Sequence, residues 1–181
     1  MKINIRKQAL LLGATLLGTI LFAGTPAAAV NITNTVDEAS LSASNWNSAV
    51  WGTPKSVPLA TTNYFIGLGS IRTEGTTAPQ IFYGSTLQIN SGKILYLKHG
   101  NGVATVNLLA GGGGASSITY SGGSGTNVPL GGTLTVNNSV TIGQNQAAPN
   151  TRDIWLLSSL SGSAAVTVDQ RGSSLILFGT N

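Results

Sequence analysis

Short apolar runs separated by polar corners recur along the chain after residue 59. Residues 87–89 (Leu-Gln-Ile) and 166–168 (Val-Thr-Val) alternate apolar and polar side chains. This period of two points one set of side chains inward and leaves a row of Thr or Gln outward. Gly, Ser, Asn or Pro bound the runs, and none shows the apolar spacing of a helix. We expect strands at 63–66, 70–73, 80–83, 85–89, 93–97, 104–109, 117–120, 134–136, 140–142, 153–157, 165–168 and 175–178.

Each run is too short to fold alone, so the runs must stack on one another. Matching positions at Leu87, Leu134 and Val166 are 47 and 32 residues apart, which indicates an irregular repeat with two strands per unit. An antiparallel β-sandwich is the alternative, but it favours two-residue Asn-Gly turns, and the Asn-Gly pair at 101–102 lies in a longer turn. We predict an all-β fold, a right-handed parallel β-helix (solenoid) with irregular rungs over residues 59–181, preceded by a signal helix.

Residues 1–29 have the layout of a secretory signal peptide. A basic start is followed by an apolar run at 9–22 and by three alanines that end at Ala29, with cleavage expected before Val30. A membrane anchor is the alternative, but the run of 14 residues is shorter than the roughly 20 that cross a bilayer. We expect export to the extracellular space or the outer cell surface, with no stable membrane span once the signal is removed.

Residues 30–58 form a polar leader that contains two tryptophans, Trp46 and Trp51. As exposed indoles they would stack on sugar rings. The alternative, which we favour, is a cap, because the first coil of a solenoid would otherwise expose its core and its backbone hydrogen-bonding groups. Trp155 is a third candidate for glycan contact, but its apolar neighbours favour a place in the core or in a stack along one face.

Charge and composition narrow the range of partners. Only 8% of residues are charged, there is no cysteine, and the formal net charge of +4 falls to +1 once Lys2, Arg6 and Lys7 leave with the signal. A nearly neutral chain gives no reason to expect nucleic acid as a partner. The lack of cysteine excludes disulfides and thiolate metal sites. We expect no cofactor and no metal.

The residues that carry chemistry are few and scattered. His99 is the only histidine and is expected in a turn. A polysaccharide lyase or glycosidase would group carboxylates on neighbouring coils. In this chain, Glu74 and Asp153 are the candidate pair for such a site. The glycines at 111–114 lack the lysine and the helix start of a phosphate loop, so we expect them to turn corners where φ is positive. We predict that the chain is not an enzyme and has no catalytic residues.

The C-terminal unit resembles a known repeat. Residues 162–168, Gly-Ser-Ala-Ala-Val-Thr-Val, and 172–181, Gly-Ser-Ser-Leu-Ile-Leu-Phe-Gly-Thr-Asn, are similar to the autotransporter-associated β-strand repeat, whose consensus runs like G-S-G-x-L-x-x-x-G-x-G-x-L-x-L-x-G-x-N. The chain departs from it at 164–165, where Gly-Gly is usual, and at 169–171. The resemblance implies a secreted or surface passenger region folded as a β-helix. That family shares no catalytic residues, so none are carried over.

The segments 51–54, 71–73 and 84–89 look like the N-terminal region of large exported proteins that carry this repeat. Because the repeat normally continues where this chain stops, we expect a fragment whose last strand docks downstream rungs or aggregates. Our leading hypothesis is an exported structural or adhesive stalk of a surface or secreted protein, with extracellular glycans or surface components as partners. The alternatives are a carbohydrate-binding or carbohydrate-cleaving secreted β-helix and a fragment with no independent role.

Overall fold

The structure is a computed structural model and describes residues 30–37, 44–98, 100–120, 127–144, 152–169 and 174–178. The predicted signal peptide and His99 lie outside these residues. The described part of the chain contains strands and no helix. The strands are β1 Asn31–Thr33, β2 Asn63–Ile66, β3 Ser70–Arg72, β4 Gln80–Ile81, β5 Thr86–Asn90, β6 Ile94–Leu97, β7 Ala104–Gly112, β8 Ser116–Tyr120, β9 Asn127–Val136, β10 Val140–Gln144, β11 Asp153–Leu156, β12 Ser159–Gly162, β13 Val166–Asp169 and β14 Leu175–Leu177.

The chain coils through three faces in a repeating order. Face A holds β1, β2, β5, the second half of β7, the second half of β9, and β12. Face B holds β3, β6, β8, β10 and β13, and face C holds β4, the first halves of β7 and β9, β11 and β14. Every pairing between these strands is parallel, and the result is a β-solenoid of about four turns. The predicted parallel solenoid is therefore confirmed; its right-handed sense stays a prediction, based on the general preference of parallel crossovers.

Inward-pointing columns of side chains from all three faces form the core, and one column from each face runs through five coils. On face A, Tyr64 pairs in register with Leu87, and the column continues through Leu108, Leu134 and Leu160. Face B contributes Ile71, Leu95, Ile118, Ile142 and Val168, and face C contributes Gln80, Ala104, Leu130, Leu156 and Leu177. The first four members of each column are buried. Stacked side chains, most of them aliphatic, thus form one core that extends along the solenoid axis.

The prediction of two strands per unit was wrong, because each coil contains three. Leu87, Leu108, Leu134 and Leu160 follow one another at intervals of 21, 26 and 26 residues. The sequence analysis treated Val166 as equivalent to Leu134. In the structure, Val166 pairs instead with Val140 on face B. The 32 residues between Leu134 and Val166 therefore separate positions on two different faces, and this spacing is not the length of one coil.

Glycine at a corner explains how one long strand passes from face C to face A. Gly132 lies within β9 with a φ of 91°, and a Cβ built on it would come 2.2 Å from the carbonyl oxygen of Val106 in the coil below. Only glycine fits such a position. The predicted corner role of residues 111–114 is also confirmed, since Gly111 and Gly113 both have a φ of 79°.

Residues 44–56 cover the N-terminal end of the solenoid, and we call this segment the plug. The backbone N–H of Trp46 donates to the carbonyl of Arg72 at 2.8 Å, which ties the plug to β3. The indole N–H of Trp51 donates to the carbonyl of Trp46 at 2.9 Å. The Trp51 ring lies 5.0 Å from the ring of Tyr64, edge to face. The plug therefore fills the core space of the first coil with aromatic side chains.

Candidate functional site

Face A presents two outward rows of side chains that run along the solenoid axis. One row contains Asn63, Thr86, Asn107, Thr133 and Ser159, and the other contains Phe65, Gln88, Leu109, Thr135 and Ser161. None of these ten residues is charged, and eight of them carry a hydroxyl or an amide. We call them the polar rows.

Hydrogen bonds between coils hold the polar rows in place. The Thr86 hydroxyl donates to Asn63 at 2.8 Å, and Thr133 donates to Asn107 at 3.3 Å. Thr135 and Ser161 share a hydrogen bond of 3.0 Å. Strand pairing sets a repeat of about 4.8 Å along the axis and about 6.7 Å along each strand. A bound partner would therefore meet an uncharged grid of donors and acceptors at fixed spacing.

Two of the three tryptophans considered for glycan contact are inside the molecule. Trp46 and Trp51 each have 0% of their surface exposed. Phe82 packs against both rings, at 5.6 Å from Trp46 and 6.1 Å from Trp51. A buried indole offers no face to a sugar, because stacking needs open space on one side of the ring. The interpretation of these two residues as sugar platforms is therefore corrected.

Trp155 has a different environment. It points outward from face C, half-buried, between Pro129 of the coil below and Ile176 of the coil above. The ring of Phe178, which is 43% exposed, lies 5.1 Å from it. The Trp155 Nε1 is buried and has no hydrogen-bond partner among the described residues. Trp155 and Phe178 thus form an aromatic patch, of which the sequence analysis named only the tryptophan.

The structure does not bring Glu74 and Asp153 together. Asp153 is in register with Asn127, and the backbone N–H of Asn127 donates to Asn101 in the coil below. Glu74 lies one coil further down, so three coil spacings separate the two carboxylates. At about 4.8 Å for each coil this is about 14 Å, beyond the roughly 5–10 Å that paired glycosidase carboxylates need. Glu74 instead accepts a hydrogen bond from Asn47 at 2.9 Å.

Asp37 and Asp153 accept hydrogen bonds from backbone N–H groups. Asp37 accepts from the N–H of Ser70 at 2.7 Å and from its hydroxyl at 2.8 Å. Asp153 accepts from the N–H of Ser174 at 2.9 Å. Among the described residues, no three His, Cys, Asp or Glu side chains form a group that could hold a metal ion. These contacts tie coils and corners together.

Two ionisable groups near the ends of face B strands have shifted pKa values. Burial lowers the pKa of the Lys98 ammonium, and the nearby positive charge of Arg72 lowers it further. Burial raises the pKa of Tyr120, against a smaller opposite effect of the Arg152 charge. Both residues lie on strands or corners away from the polar rows. The shifts follow from packing in the solenoid wall.

The last coil that the structure describes is less covered than the coils before it. Strands β12, β13 and β14 each pair with only one neighbour among the described strands. Their inward residues are less covered than those of earlier coils: Leu160 is half-buried, Val168 is 52% exposed and Leu177 is 57% exposed. We call β12, β13 and β14 the open end of the described solenoid.

Within the described ranges, no helix is long and apolar enough to span a membrane. No protein-family model, no curated protein and no solved structure matches this chain.

Proposed function

We propose that this chain is a non-catalytic structural and adhesive stalk, exported to the cell surface or released from it, of the passenger-region type that the C-terminal repeat resembles. The observation that carries the proposal is the pair of polar rows on face A, which run across five successive strands without a charge. Export is supported only by the signal-like sequence of residues 1–29. The proposed function follows from the elongated shape of the solenoid and from the polar rows on its surface. The core columns and the plug make the solenoid stiff.

A solenoid suits this task because each coil contacts only its neighbours and adds the same surface again. Backbone ladders on three faces resist bending, and each coil lengthens the structure by about 4.8 Å. Hydroxyls and amides on the polar rows donate and accept without the salt sensitivity of charged contacts. Many weak, evenly spaced hydrogen bonds then hold an extended partner, such as a surface glycan or an exposed protein strand.

Adhesion is tested by replacing two threonines of the polar rows, Thr133→Lys and Thr135→Lys. Beads carrying the exported chain are placed on intact cells and on purified extracellular material. We expect T133K/T135K to lose most of the adhesion, because two charged side chains would disturb the uncharged grid. The matched control is T141K/T167K, since Thr141 and Thr167 also point outward, on face B, and have the same degrees of exposure.

Equal adhesion by both variants would refute the role of face A, and no adhesion by the parent chain would refute the adhesive function altogether. Export is tested separately by sequencing the N-terminus of the chain recovered outside the cell. A start at Val30 supports the signal peptide, whereas retention of the chain in the cytoplasm contradicts it.

Carbohydrate binding is a second candidate, favoured by the aromatic patch of the half-buried Trp155 and the exposed Phe178 on the outer surface of face C. An array of soluble oligosaccharides distinguishes the two functions. Under the stalk proposal, any binding on the array depends on the polar rows and is lost in T133K/T135K. Reproducible binding that disappears in Trp155→Ala and persists in T133K/T135K would favour a carbohydrate-binding module, because a sugar stacks on an aromatic face and not on threonines.

A further inference from the structure

The first strand of face C has a strand neighbour on one side only. Among the described strands, β4 pairs with β7 alone. The N–H of Phe82 donates to the carbonyl of Thr105 at 3.0 Å, so the backbone of Phe82 faces β7. Because the backbone groups of successive residues point to opposite sides of a strand, those of Ile81 and Tyr83 face the other side. We call residues 80–83 the edge segment.

The side chain of Asn47, which belongs to the plug, lies on that other side. Its Nδ2 donates to the carbonyl of Ile81 at 2.9 Å, and its Oδ1 accepts from the N–H of Tyr83 at 2.9 Å. In a parallel ladder, one residue of the neighbouring strand makes these same two bonds, one to each side of the residue opposite it. A single carboxamide therefore takes the place of a strand residue opposite Phe82.

Further contacts hold Asn47 in this position. Its backbone N–H donates to the Oδ1 of Asn45 at 2.8 Å. Its Nδ2 also donates to the carboxylate of Glu74 at 2.9 Å, so both amide hydrogens are used. The backbone N–H of Glu74 in turn donates to the side-chain oxygen of Gln80 at 2.7 Å. The carboxamide is thus fixed between the plug, the corner after β3 and the edge segment.

The plug closes the other two faces with backbone groups. On face A the N–H of Gly52 donates to the carbonyl of Thr33 at 3.0 Å, and on face B the N–H of Trp46 donates to the carbonyl of Arg72 at 2.8 Å. On face C a side chain does this work. One substitution at Asn47 therefore opens the edge of face C and leaves the backbone contacts of the plug in place.

We propose that Asn47 is an edge lock, which closes the edge segment against the addition of an extended strand from another molecule. The edge segment reads Gln-Ile-Phe-Tyr and carries no charge. Ile81 is 63% exposed and Tyr83 is 57% exposed. An uncharged segment of this kind with unpaired backbone groups is a template for strands of other chains. This inference does not depend on the adhesive function.

Hydrogen exchange measured by NMR tests the lock at two neighbouring amides. In Asn47→Ala we expect the amide of Tyr83 to exchange at least about tenfold faster than in the parent chain, because its acceptor is gone. We expect the amide of Phe82, which is bonded to β7, to exchange as slowly as in the parent. Unchanged exchange at Tyr83 overturns the proposal. So does equal acceleration at both amides, which would mean that the whole coil opens.

Sedimentation equilibrium tests the consequence of opening the edge. We expect N47A to associate at concentrations at least about tenfold lower than the parent chain, because two opened edges can pair with each other. The matched control is Asn138→Ala, which removes a side-chain hydrogen bond to the carbonyl of Gly111 at a corner away from the edge segment. Association of N47A that is no stronger than that of the parent or of N138A overturns the proposal.

A second substitution separates an opened edge from a disturbed core. Because Ile81 is largely exposed, Ile81→Lys leaves the core intact and places a charge on the edge segment, which natural proteins use to prevent edge pairing. We expect N47A/I81K to return to the association of the parent chain. A double variant that associates as strongly as N47A would assign the contact to exposed core residues and would refute the lock.

Discussion

Trp51→Ala tests whether the plug stabilises the solenoid. Trp51 is fully buried, and its ring contacts the rings of Tyr64 and Phe82. Truncation leaves a large cavity, which costs about 4 kcal/mol. It also removes the 2.9 Å hydrogen bond to the carbonyl of Trp46, which adds about 1 kcal/mol. We expect the free energy of unfolding to fall by about 5 kcal/mol in total.

This loss is a large part of the roughly 5–15 kcal/mol that stabilises a natural domain, so a milder variant is needed beside it. Trp51→Phe keeps a ring against Tyr64 and gives up the indole N–H, and we expect a loss of about 2 kcal/mol. Trp155→Ala is the matched control, because Trp155 is half-buried on the outer surface and packs on Phe178. We expect it to cost about 1–2 kcal/mol.

Unfolding in guanidinium chloride, followed by circular dichroism, measures all three variants without depending on tryptophan fluorescence. Hydrogen exchange on the amides of β2 adds a local measurement, because loss of the plug should open the first coil before the others. A Trp51→Ala variant that is no less stable than Trp155→Ala would refute the argument that the plug closes the core.

Three further predictions concern the core, a corner and the pH dependence of stability. Leu108→Ala, in the middle of the face A column, should lower the free energy of unfolding in urea by about 3 kcal/mol. Leu177→Ala, at the open end, should lower it by less than about 1 kcal/mol, and equal losses would contradict the assignment of Leu108 to the buried core. Gly132→Ala should cost more than about 2 kcal/mol, since a Cβ there meets the backbone of Val106 at positive φ, and an unchanged urea midpoint would contradict the tight corner. Burial raises the pKa of Tyr120, so the native chain keeps a phenol proton that the unfolded chain loses above pH about 10, and stability falls as the pH rises through that range. Tyr120→Phe should flatten this fall in urea midpoints measured between about pH 9 and 11; an unchanged slope would assign the fall to other groups.

The strands and their outward polar faces were predictable, because the alternation of apolar and polar residues is a local property of the sequence. The segment around Gln88 shows it within three residues, and its neighbours are buried as expected. The three-sided coil was not predictable, because it depends on register between distant strands. Leu108 and Leu160 belong to the same column as Leu87, but corners of different length conceal their spacing.

The candidate surfaces were predictable to different degrees. A covered end follows from the general need to close a solenoid, yet the partners of the plug, Tyr64 and Phe82, are known only from the fold. Trp155 stands out in the sequence as a large aromatic residue, whereas Phe178 joins it because β11 and β14 pair in register. Row contacts such as that between Thr135 and Ser161 likewise depend on residues 26 positions apart.

The direction of the backbone ladders has a mechanical consequence. In a solenoid the hydrogen bonds between coils point along the long axis, so a pull on a tethered stalk acts on them end-on and opens one coil at a time. Each coil of 21 to 26 residues would release about 70–90 Å of extended chain in place of its folded rise of about 4.8 Å. If the chain is a stalk, as proposed above, it would lengthen in steps under load, and a cell attached through it would be slowed before the attachment breaks.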